Sequence, residues 1–464
     1  MPPNILYLNS HDTGRYVQPY GNPVPTPNIQ WLADQGVMFR NAFCAAPSCS
    51  GSRAALLTGT YCHQNGMIGL AHRGFELYDL DQHIVRTLSR AGYHCELIGE
   101  QHVSADPAVL GYDVVHANVD TTVNSVAPEA IATLAGGIPE TFFLSVGFFE
   151  THRSYFAPSS VRDRLYSLPP PFLPDTPEIR QDVAAYKASA RSLDHGIGQV
   201  LNTLHDTGLA RNTLVICTTD HGLAFPTAKA SLLDRGIGVM LIIRGPGFPA
   251  GVTHDELVSQ LDLFPTICEA AEIEPPPWLA GRSLVGLVDG TEPLGARSEI
   301  FAELTYHAAY EPQRAIRTDR FKYIRRFDDY PYPVLPNCDD SPSKDAYLAR
   351  GWAERPVSRE RLHDLFFNPG EGRNSIDDPA YAPVLADLRG RLERWMEQTG
   401  DPLLRGPVPA PPGARVNAQD QRSADDPTFI AGQPSTSSAA ARSIDGSPPI
   451  SSVVTSDSRH ASRS

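Results

Sequence analysis

The sequence lacks an excess of positive charge, a long apolar run and a recognisable leader. Its 39 Lys and Arg residues are outnumbered by 53 Asp and Glu residues, giving a formal net charge of −14, which argues against a nucleic-acid surface or a basic membrane patch. No apolar run approaches the roughly 20 residues that span a bilayer. The opening MPPNILYLNSHD has neither the basic nor the apolar region of a signal peptide, and we interpret it as a first strand. We therefore expect neither a nucleic-acid partner nor membrane association.

Cysteine is also scarce. The seven cysteines are odd in number, scattered, and without the spacing of zinc ligands, so we expect a reduced, cytoplasmic protein. The chain shows no internal repeat and nothing that indicates its oligomeric state. Its 464 residues, 41% hydrophobic and 20% charged, are typical of a globular protein with a large core.

Alternating strand-length and helix-length segments predict the fold. Five apolar runs have the length of strands: 4–10, 94–98, 141–148, 213–219 and 238–244. The segment 183–204 repeats apolar residues every three or four positions, which is typical of a helix. This alternation predicts an α/β domain over residues 1–296, with a mostly parallel sheet covered by helices on both faces.

The pattern changes after about residue 296. The runs EIFAELTYH and QRAIRTDRFKYIRRF, with a turn at Thr318-Asp319, predict a hairpin, and a last helix is predicted over 382–398. We therefore expect a smaller antiparallel subdomain over 297–405. Residues 406–464 are rich in Pro, Ser, Ala and Asp, and we expect a disordered tail there.

Polar residues with the chemistry of a metal site follow several predicted strands. They are His11 and Asp12 after 4–10, His102 after 94–98, His152 after 141–148, Asp220 and His221 after 213–219, and Lys229 just beyond. Because the carboxyl ends of parallel strands meet at one edge of a sheet, these side chains predict a divalent-metal site beside an anion pocket. Each residue alone is more often a structural histidine or a helix cap, but Asp and His recur together after two distant strands.

One helix start is unusual. In FCAAPSCSGSRAALLTG, Cys49 and Arg53 would share a face at the beginning of a helix of small and apolar residues. Backbone N–H groups and the helix dipole favour an anion at that position. Taken alone, Cys49 would more often be an inert, small apolar residue.

The segment CSGSRAALLTG resembles the signature of the type I sulfatases, whose Cys-x-Pro-x-Arg core is followed by such a helix. Residues 4 to about 400 look like this family, and HQNGMIGL together with FFLSVGFFETHR looks most like its N-sulfoglucosamine sulfohydrolase branch. The resemblance implies an alkaline-phosphatase-like fold. It also implies a sulfatase that hydrolyses a sulfate ester or sulfamate of a sulfated sugar or other small molecule.

The resemblance assigns roles to individual residues. A formylglycine-generating enzyme would oxidise Cys49 to formylglycine, whose hydrate attacks the sulfur next to a divalent cation. The matching positions are His11, Asp12, Asp220 and His221 for the metal, Arg53 for the hydrate, His102 for the proton lost as the sulfated intermediate collapses, and His152 and Lys229 for the sulfate and leaving group. Of this last pair, His152 would be the better general acid, because its unperturbed pKa lies near neutrality. His307 falls where the smaller subdomain would touch substrate, or else it is a packing residue.

The metal positions depart from the family pattern. The usual Asp-Asp and Asp-Asn pairs are His11-Asp12 and Asp220-His221 here. Calcium, which the family resemblance implies, prefers oxygen ligands, so manganese or another transition metal becomes an alternative.

Two further departures leave other functions open. Glu100 stands at a substrate-contacting position where a lysine is usual, and its carboxylate would repel a sulfate at contact distance. Gly51 replaces the proline of the motif that the modifying enzyme reads as an extended segment. The alternatives are a phosphonate monoester or phosphodiester hydrolase with the same site, and an inactive relative that only binds sulfated ligands.

Overall fold

Two main sheets, two short two-stranded sheets and the helices around them form the part of the chain that the structure describes. The computed structural model describes residues 2–116, 120–139, 141–158, 160–293 and 295–432. Its strands are β1 (Asn4–Ser10), β2 (Val37–Phe39), β3 (Ala42–Phe43), β4 (His94–Gly99), β5 (Val114–Val115), β6 (Phe142–Gly147), β7 (Thr213–Thr219), β8 (Leu241–Arg244), β9 (Val252–His254), β10 (Val258–Ser259), β11 (Glu299–Tyr306), β12 (Tyr310–Thr318), β13 (Phe321–Arg326), β14 (Glu360–Asp364), β15 (Arg415–Val416) and β16 (Phe429–Ile430). Its α-helices are α1 (Pro27–Asp34), α2 (Cys49–Thr58), α3 (Cys62–Asn65), α4 (Ile84–Arg90), α5 (Val123–Gly136), α6 (Val161–Tyr166), α7 (Pro177–Asp206), α8 (Asp234–Ile237), α9 (Leu263–Ala270), α10 (Val285–Asp289), α11 (Pro342–Leu348) and α12 (Ala382–Thr399).

The larger sheet has eight strands in the order β5-β4-β6-β1-β7-β8-β2-β9. Strands β5, β4, β6, β1 and β7 are parallel, and β8 runs antiparallel to β7 and to β2. Alternate residues of β1 face opposite layers. Ile5 and Tyr7 pack in the cluster that contains α2, α4 and α9, and Leu6 and Leu8 pack in the cluster that contains α1, α5 and α7. The prediction of a mostly parallel sheet covered on both faces is confirmed.

The smaller sheet is antiparallel, in the order β11-β12-β13-β14. The predicted hairpin is β12-β13, and the predicted last helix is α12. One face of this sheet packs on α12 through residues such as Tyr323 and Leu362. The other face contributes Ile300, Ala315 and Ile324 to the core of the larger sheet. The sheet begins near the predicted boundary at residue 296, and the division into domains there stays a prediction.

Residues 406–432 do not form the disordered tail that their composition predicts. Strands β15 and β16 pair there, and the side chains of Ala414 and Val416 are buried in the same core as α2. Arg73 Nη1 donates to Asn417 Oδ1 over 2.6 Å. The prediction is wrong for this segment because a few buried apolar side chains and hydrogen bonds from its polar residues, such as that of Gln419 Nε2 to the carbonyl oxygen of Tyr310, dock it, although large apolar residues are few. The predicted tail from 433 onward lies outside the described residues.

All seven cysteines are buried, and none of them forms a disulfide. Within the described ranges, each helix is too short or too polar to cross a membrane.

We expect a chain that ends at Gly406 to be less stable than a chain that ends at Gly432. The longer chain buries Val416, a side chain that contributes about 2 kcal/mol when it is removed from water, and it keeps the hydrogen bond between Arg73 and Asn417. Thermal unfolding of the two chains measures the difference. Equal melting temperatures would show that the segment contributes nothing.

Candidate active site

Four neighbouring strands deliver the polar residues to one edge of the larger sheet. In the order β4-β6-β1-β7, the carboxyl ends are followed by His102, by His152, by His11-Asp12 and by Asp220-His221 respectively. Asp12 and His102 have positive φ angles of 55° and 53°. Such left-handed residues are uncommon outside glycine and occur at strained, functional turns. Sharp turns at the strand ends therefore set the direction in which these residues leave the sheet.

Five of the predicted residues form one buried cluster. The ligand atoms of His11, Asp12, Cys49, Asp220 and His221 all lie within 4.8 Å of one another. His11 Nδ1 is 3.0 Å from Asp12 Oδ1 and 3.1 Å from Asp220 Oδ2. His221 Nε2 is 3.1 Å from Asp12 Oδ1 and 3.3 Å from Cys49 Sγ. Two carboxylates and two imidazoles at this spacing fit a divalent cation.

Cations compensate the two buried carboxylates. Arg53 Nη2 lies 3.2 Å from Asp220 Oδ2, and Lys229 Nζ donates to Asp12 Oδ2 over 3.0 Å. Burial raises the pKa of Asp12, but Lys229, His221 and His11 outweigh it and hold the pKa well below its usual range. Burial likewise raises the pKa of Asp220, and the positive charges of His11, His221 and Arg53 lower it overall. Both acids are therefore ionised at neutral pH.

Cys49 begins helix α2 and is 2% exposed. Ser48 occupies the N-cap position, but its side chain does not cap the helix. The Ser48 hydroxyl instead lies 3.0 Å from His307 Nδ1, so the smaller sheet reaches the residue next to Cys49. Burial and the charge of Lys229 lower the pKa of His307 to about 3. His307 is thus a neutral, buried side chain beside the cluster.

The surroundings of Cys49 are strongly positive. Burial alone raises the pKa of its thiol, but Lys229, His11 and His221 outweigh burial and hold the pKa well below the usual value. A hydrogen bond from His102 lowers it further. The position of residue 49 is therefore one that stabilises negative charge.

Lys229 connects the cluster to the opposite wall of the site. Its Nζ lies 3.2 Å from His152 Nε2 and 3.1 Å from Asp339 Oδ2. Burial lowers the pKa of His152, and the neighbouring Lys229 lowers it further. The sequence suggested a near-neutral pKa for His152. The pKa is lower in the structure because Lys229 contacts the imidazole ring, a contact that the sequence does not reveal. Lys229 keeps its proton, since burial lowers its pKa but Asp12 and Asp339 raise it well above the usual value.

His102 and Glu100 lie on the remaining side of the cluster. His102 Nε2 is 2.8 Å from Nδ1 of His72, and the two rings are stacked. Glu100 is half-buried. Burial lowers the pKa of Arg53, but the negative charges of Asp220 and, more weakly, of Glu100 raise it overall. The Glu100 carboxylate therefore acts on a cation of the site.

Sequence reasoning missed Asp339 and His72. Asp339 lies in a proline-rich loop more than 100 residues from Lys229 along the chain, and His72 lies in a short turn after α3. Neither residue follows a predicted strand or belongs to a repeated pair.

Comparison with known proteins identifies relatives of this chain. Residues 3–273 match the sulfatase family, and residues 226–345 match the C-terminal region of N-sulphoglucosamine sulphohydrolase. Human N-sulphoglucosamine sulphohydrolase is 31% identical over 466 aligned residues, which cover 88% of this chain and 92% of the human protein.

Solved structures share the fold. A protein in complex with its substrate D-glucosamine-2-N,6-O-disulfate superposes with a TM-score of 0.69 and 18% identity, covering 86% of this chain and 98% of that chain. The phosphonate monoester hydrolase of Silicibacter pomeroyi superposes with a TM-score of 0.62 and 20% identity, covering 86% and 96%. The fold is the expected alkaline-phosphatase-like one. With a match over more than half of its length and a close full-length relative, the chain belongs to the sulfatase family.

Proposed function

We propose that this protein is a metal-dependent hydrolase that cleaves the sulfamate or sulfate ester of a sulfated sugar, using formylglycine formed from Cys49. The observation that carries the proposal is the buried cluster in which His11, Asp12, Asp220 and His221 surround Cys49 within 4.8 Å. A sulfamate is the first substrate to test, because the human relative at 31% identity is an N-sulphoglucosamine sulphohydrolase.

The four side chains of the two pairs would hold the cation. Calcium is the metal that the family resemblance implies, whereas the two imidazoles here favour manganese or another transition metal. A divalent cation bound there supplies positive charge that stabilises the attacking oxygen and the sulfonate oxygens. Asp12 and Asp220, ionised and buried, provide the negative charge that such a cation needs.

The reaction consumes one water molecule and breaks the bond between sulfur and the sugar nitrogen or oxygen. Cys49, after oxidation to formylglycine and hydration, supplies the oxygen that attacks sulfur. Arg53, which donates to Asp220 and to the backbone of Ser10 over 3.1 Å, would orient the hydrated group. His102 would accept the proton released when sulfate departs and the aldehyde returns.

Lys229 and His152 would act on the sulfate and the leaving group. Lys229 is charged and 5% exposed, so its attraction to the anion is strengthened by the scarcity of water. The departing nitrogen or oxygen must gain a proton. His152, in contact with Lys229, would deliver that proton, and the negative charge of a bound sulfate would raise its pKa toward neutrality.

A second candidate is hydrolysis of a phosphonate monoester or phosphodiester. The Asp220-His221 pair and the fold shared with a phosphonate monoester hydrolase favour it. Turnover of N-sulfoglucosamine, and of paired aryl sulfate and aryl phosphonate esters, distinguishes the two. We expect the sulfur substrates to be hydrolysed faster. Turnover of the phosphonate alone would make the sulfatase proposal wrong.

Replacing Cys49 by Ala should abolish turnover and leave the melting temperature nearly unchanged, because Ala suits the first turn of a helix. The measurement is the rate on the best substrate found above, together with the mass of the wild-type peptide that contains residue 49. Retained activity in the variant would exclude Cys49 as the source of the nucleophile. An unmodified, inactive wild-type chain from a host with the modifying enzyme would favour the binding-protein alternative.

Asp12→Asn and Asp220→Asn should each weaken metal binding at least about tenfold, since even groups that only support ligands have effects of this size. Calorimetric titration of chelator-treated protein with Mn²⁺ and with Ca²⁺ measures the affinity. Asp194→Asn is the matched control, because Asp194 is a buried carboxylate that instead contacts Asn28 and Ile29. Equal affinities for all three variants would contradict the assignment.

A further inference from the structure

A small cavity lies beside helix α7, between the segment 16–24 and the proline-rich segment 168–171. Its volume is about 270 Å³. Most of its wall is apolar, formed by residues such as Val24, Leu168 and Val183 and by the prolines at 169–171. The proposed reaction uses none of the residues that line it.

Lys187 is the charged residue of this wall. It follows Val183 by four positions and Tyr186 by one, and these three residues of α7 all line the cavity. Val183 and Tyr186 pack in an apolar cluster with Val24. Lys187 itself is only 9% exposed, although lysines are almost never buried unless they are paired.

The other lysines of the chain show what a buried lysine normally has here. The chain has four lysines, and the other three are at most 5% exposed and are each paired with a carboxylate. The pairs are Lys229–Asp12, Lys322–Asp234 and Lys344–Asp340. Among the described residues, Lys187 has no comparable hydrogen-bond or ion-pair partner.

The charges around Lys187 leave it in need of an anion. Burial lowers its pKa, Arg191 lowers it further, and Asp163 raises it only in part. Asp163 Oδ2 also lies 3.4 Å from Arg191 Nη2, so one carboxylate serves two cations. A carboxylate bound in the cavity would compensate the second cation and favour the charged form of the lysine.

The polar groups of the cavity suit a single carboxylate. The hydroxyl of Tyr16, which also lines the cavity, forms no hydrogen bond with another described residue. The hydroxyl of Tyr186 already donates to the carbonyl oxygen of Tyr16 over 2.8 Å, so Tyr186 offers its ring alone. A carboxylate can accept from both Lys187 and the Tyr16 hydroxyl.

The rest of the ligand must match the apolar wall. An inorganic anion would leave that wall without contacts, and a neutral apolar molecule would remove water from Lys187 without replacing it. The volume is near the lower end of the range for small-molecule sites. A single ring or a short branched chain therefore fits better than a larger molecule.

We propose that this cavity is a binding site for a small monocarboxylic acid with an aromatic or branched apolar body, held by an ion pair with Lys187. The site is separate from the cluster around Cys49, and the inference does not depend on the proposed function.

Calorimetric titration of the full-length protein tests the inference. The probes are 3-phenylpropionate, its neutral amide, and acetate, which lacks the apolar body. We expect 3-phenylpropionate to bind at least about tenfold more tightly than either of the others, and Lys187→Met to weaken its binding by at least about the same factor, because one charged hydrogen bond is lost. Met retains an unbranched apolar side chain, so the variant should keep its melting temperature.

Arg180→Met is the matched control. Arg180 lies on the same helix and pairs with Asp175 over 2.6 Å, outside the cavity, so its removal takes away an equal charge and should leave the affinity unchanged. Equal affinity of the wild-type chain and Lys187→Met for 3-phenylpropionate would overturn the inference. So would equal affinity for the acid and its amide, or no detectable binding of the acid.

A second measurement needs no variant, and it decides the question if Lys187→Met does not fold. An amine-acetylating reagent is applied to the wild-type protein, and the peptide that contains Lys187 is followed by mass spectrometry. Saturating 3-phenylpropionate should slow its acetylation at least about tenfold, whereas the amide and acetate should not. A rate that 3-phenylpropionate leaves unchanged would overturn the inference.

Discussion

The site depends on the charge balance around two buried carboxylates. Asp12 and Asp220 end adjacent parallel strands and are 0% and 2% exposed, where an unpaired negative charge would be strongly destabilising. Arg53 from α2 and Lys229 from the loop after β7 supply the opposite charges. Because these cations come from separate segments, the fold and the electrostatics of the site stabilise each other.

Much of this arrangement follows from local sequence. The strand predicted over 213–219 has the same bounds as β7 in the structure. The two pairs that follow β1 and β7 meet because these strands are neighbours in the sheet. Two contacts were not predictable: Lys229 with Asp339, and His102 with His72. Asp339 and His72 lie in loops whose sequences show no periodic or repeated pattern, so nothing in the sequence indicates which residues they contact. The docking of residues 406–432 was missed for a related reason. Composition averages over a segment, whereas the docking depends on single residues such as Ala414 and Val416, which are buried in the core.

Both faces of the smaller sheet bury charged side chains among apolar ones. The outer face packs apolar residues on α12, but it also buries Arg314, which pairs with Glu303 and Asp401. Its inner face carries buried cations among apolar residues, of which Lys322 is 0% exposed and is paired with Asp234 and Glu371. The smaller sheet is therefore held on both sides by ion pairs as well as by apolar packing.

The burial of Cys49 has a consequence for its proposed oxidation. An enzyme that grips the segment around residue 49 in extended form cannot reach a side chain that is 2% exposed at the start of a helix. The proposed oxidation would then have to occur while the chain is still being synthesised or before its sheet closes. Folding and the proposed modification would compete in time, and a molecule that folded first would keep its thiol. The yield of active protein would thus be decided by the speed of folding as well as by the amount of the modifying enzyme.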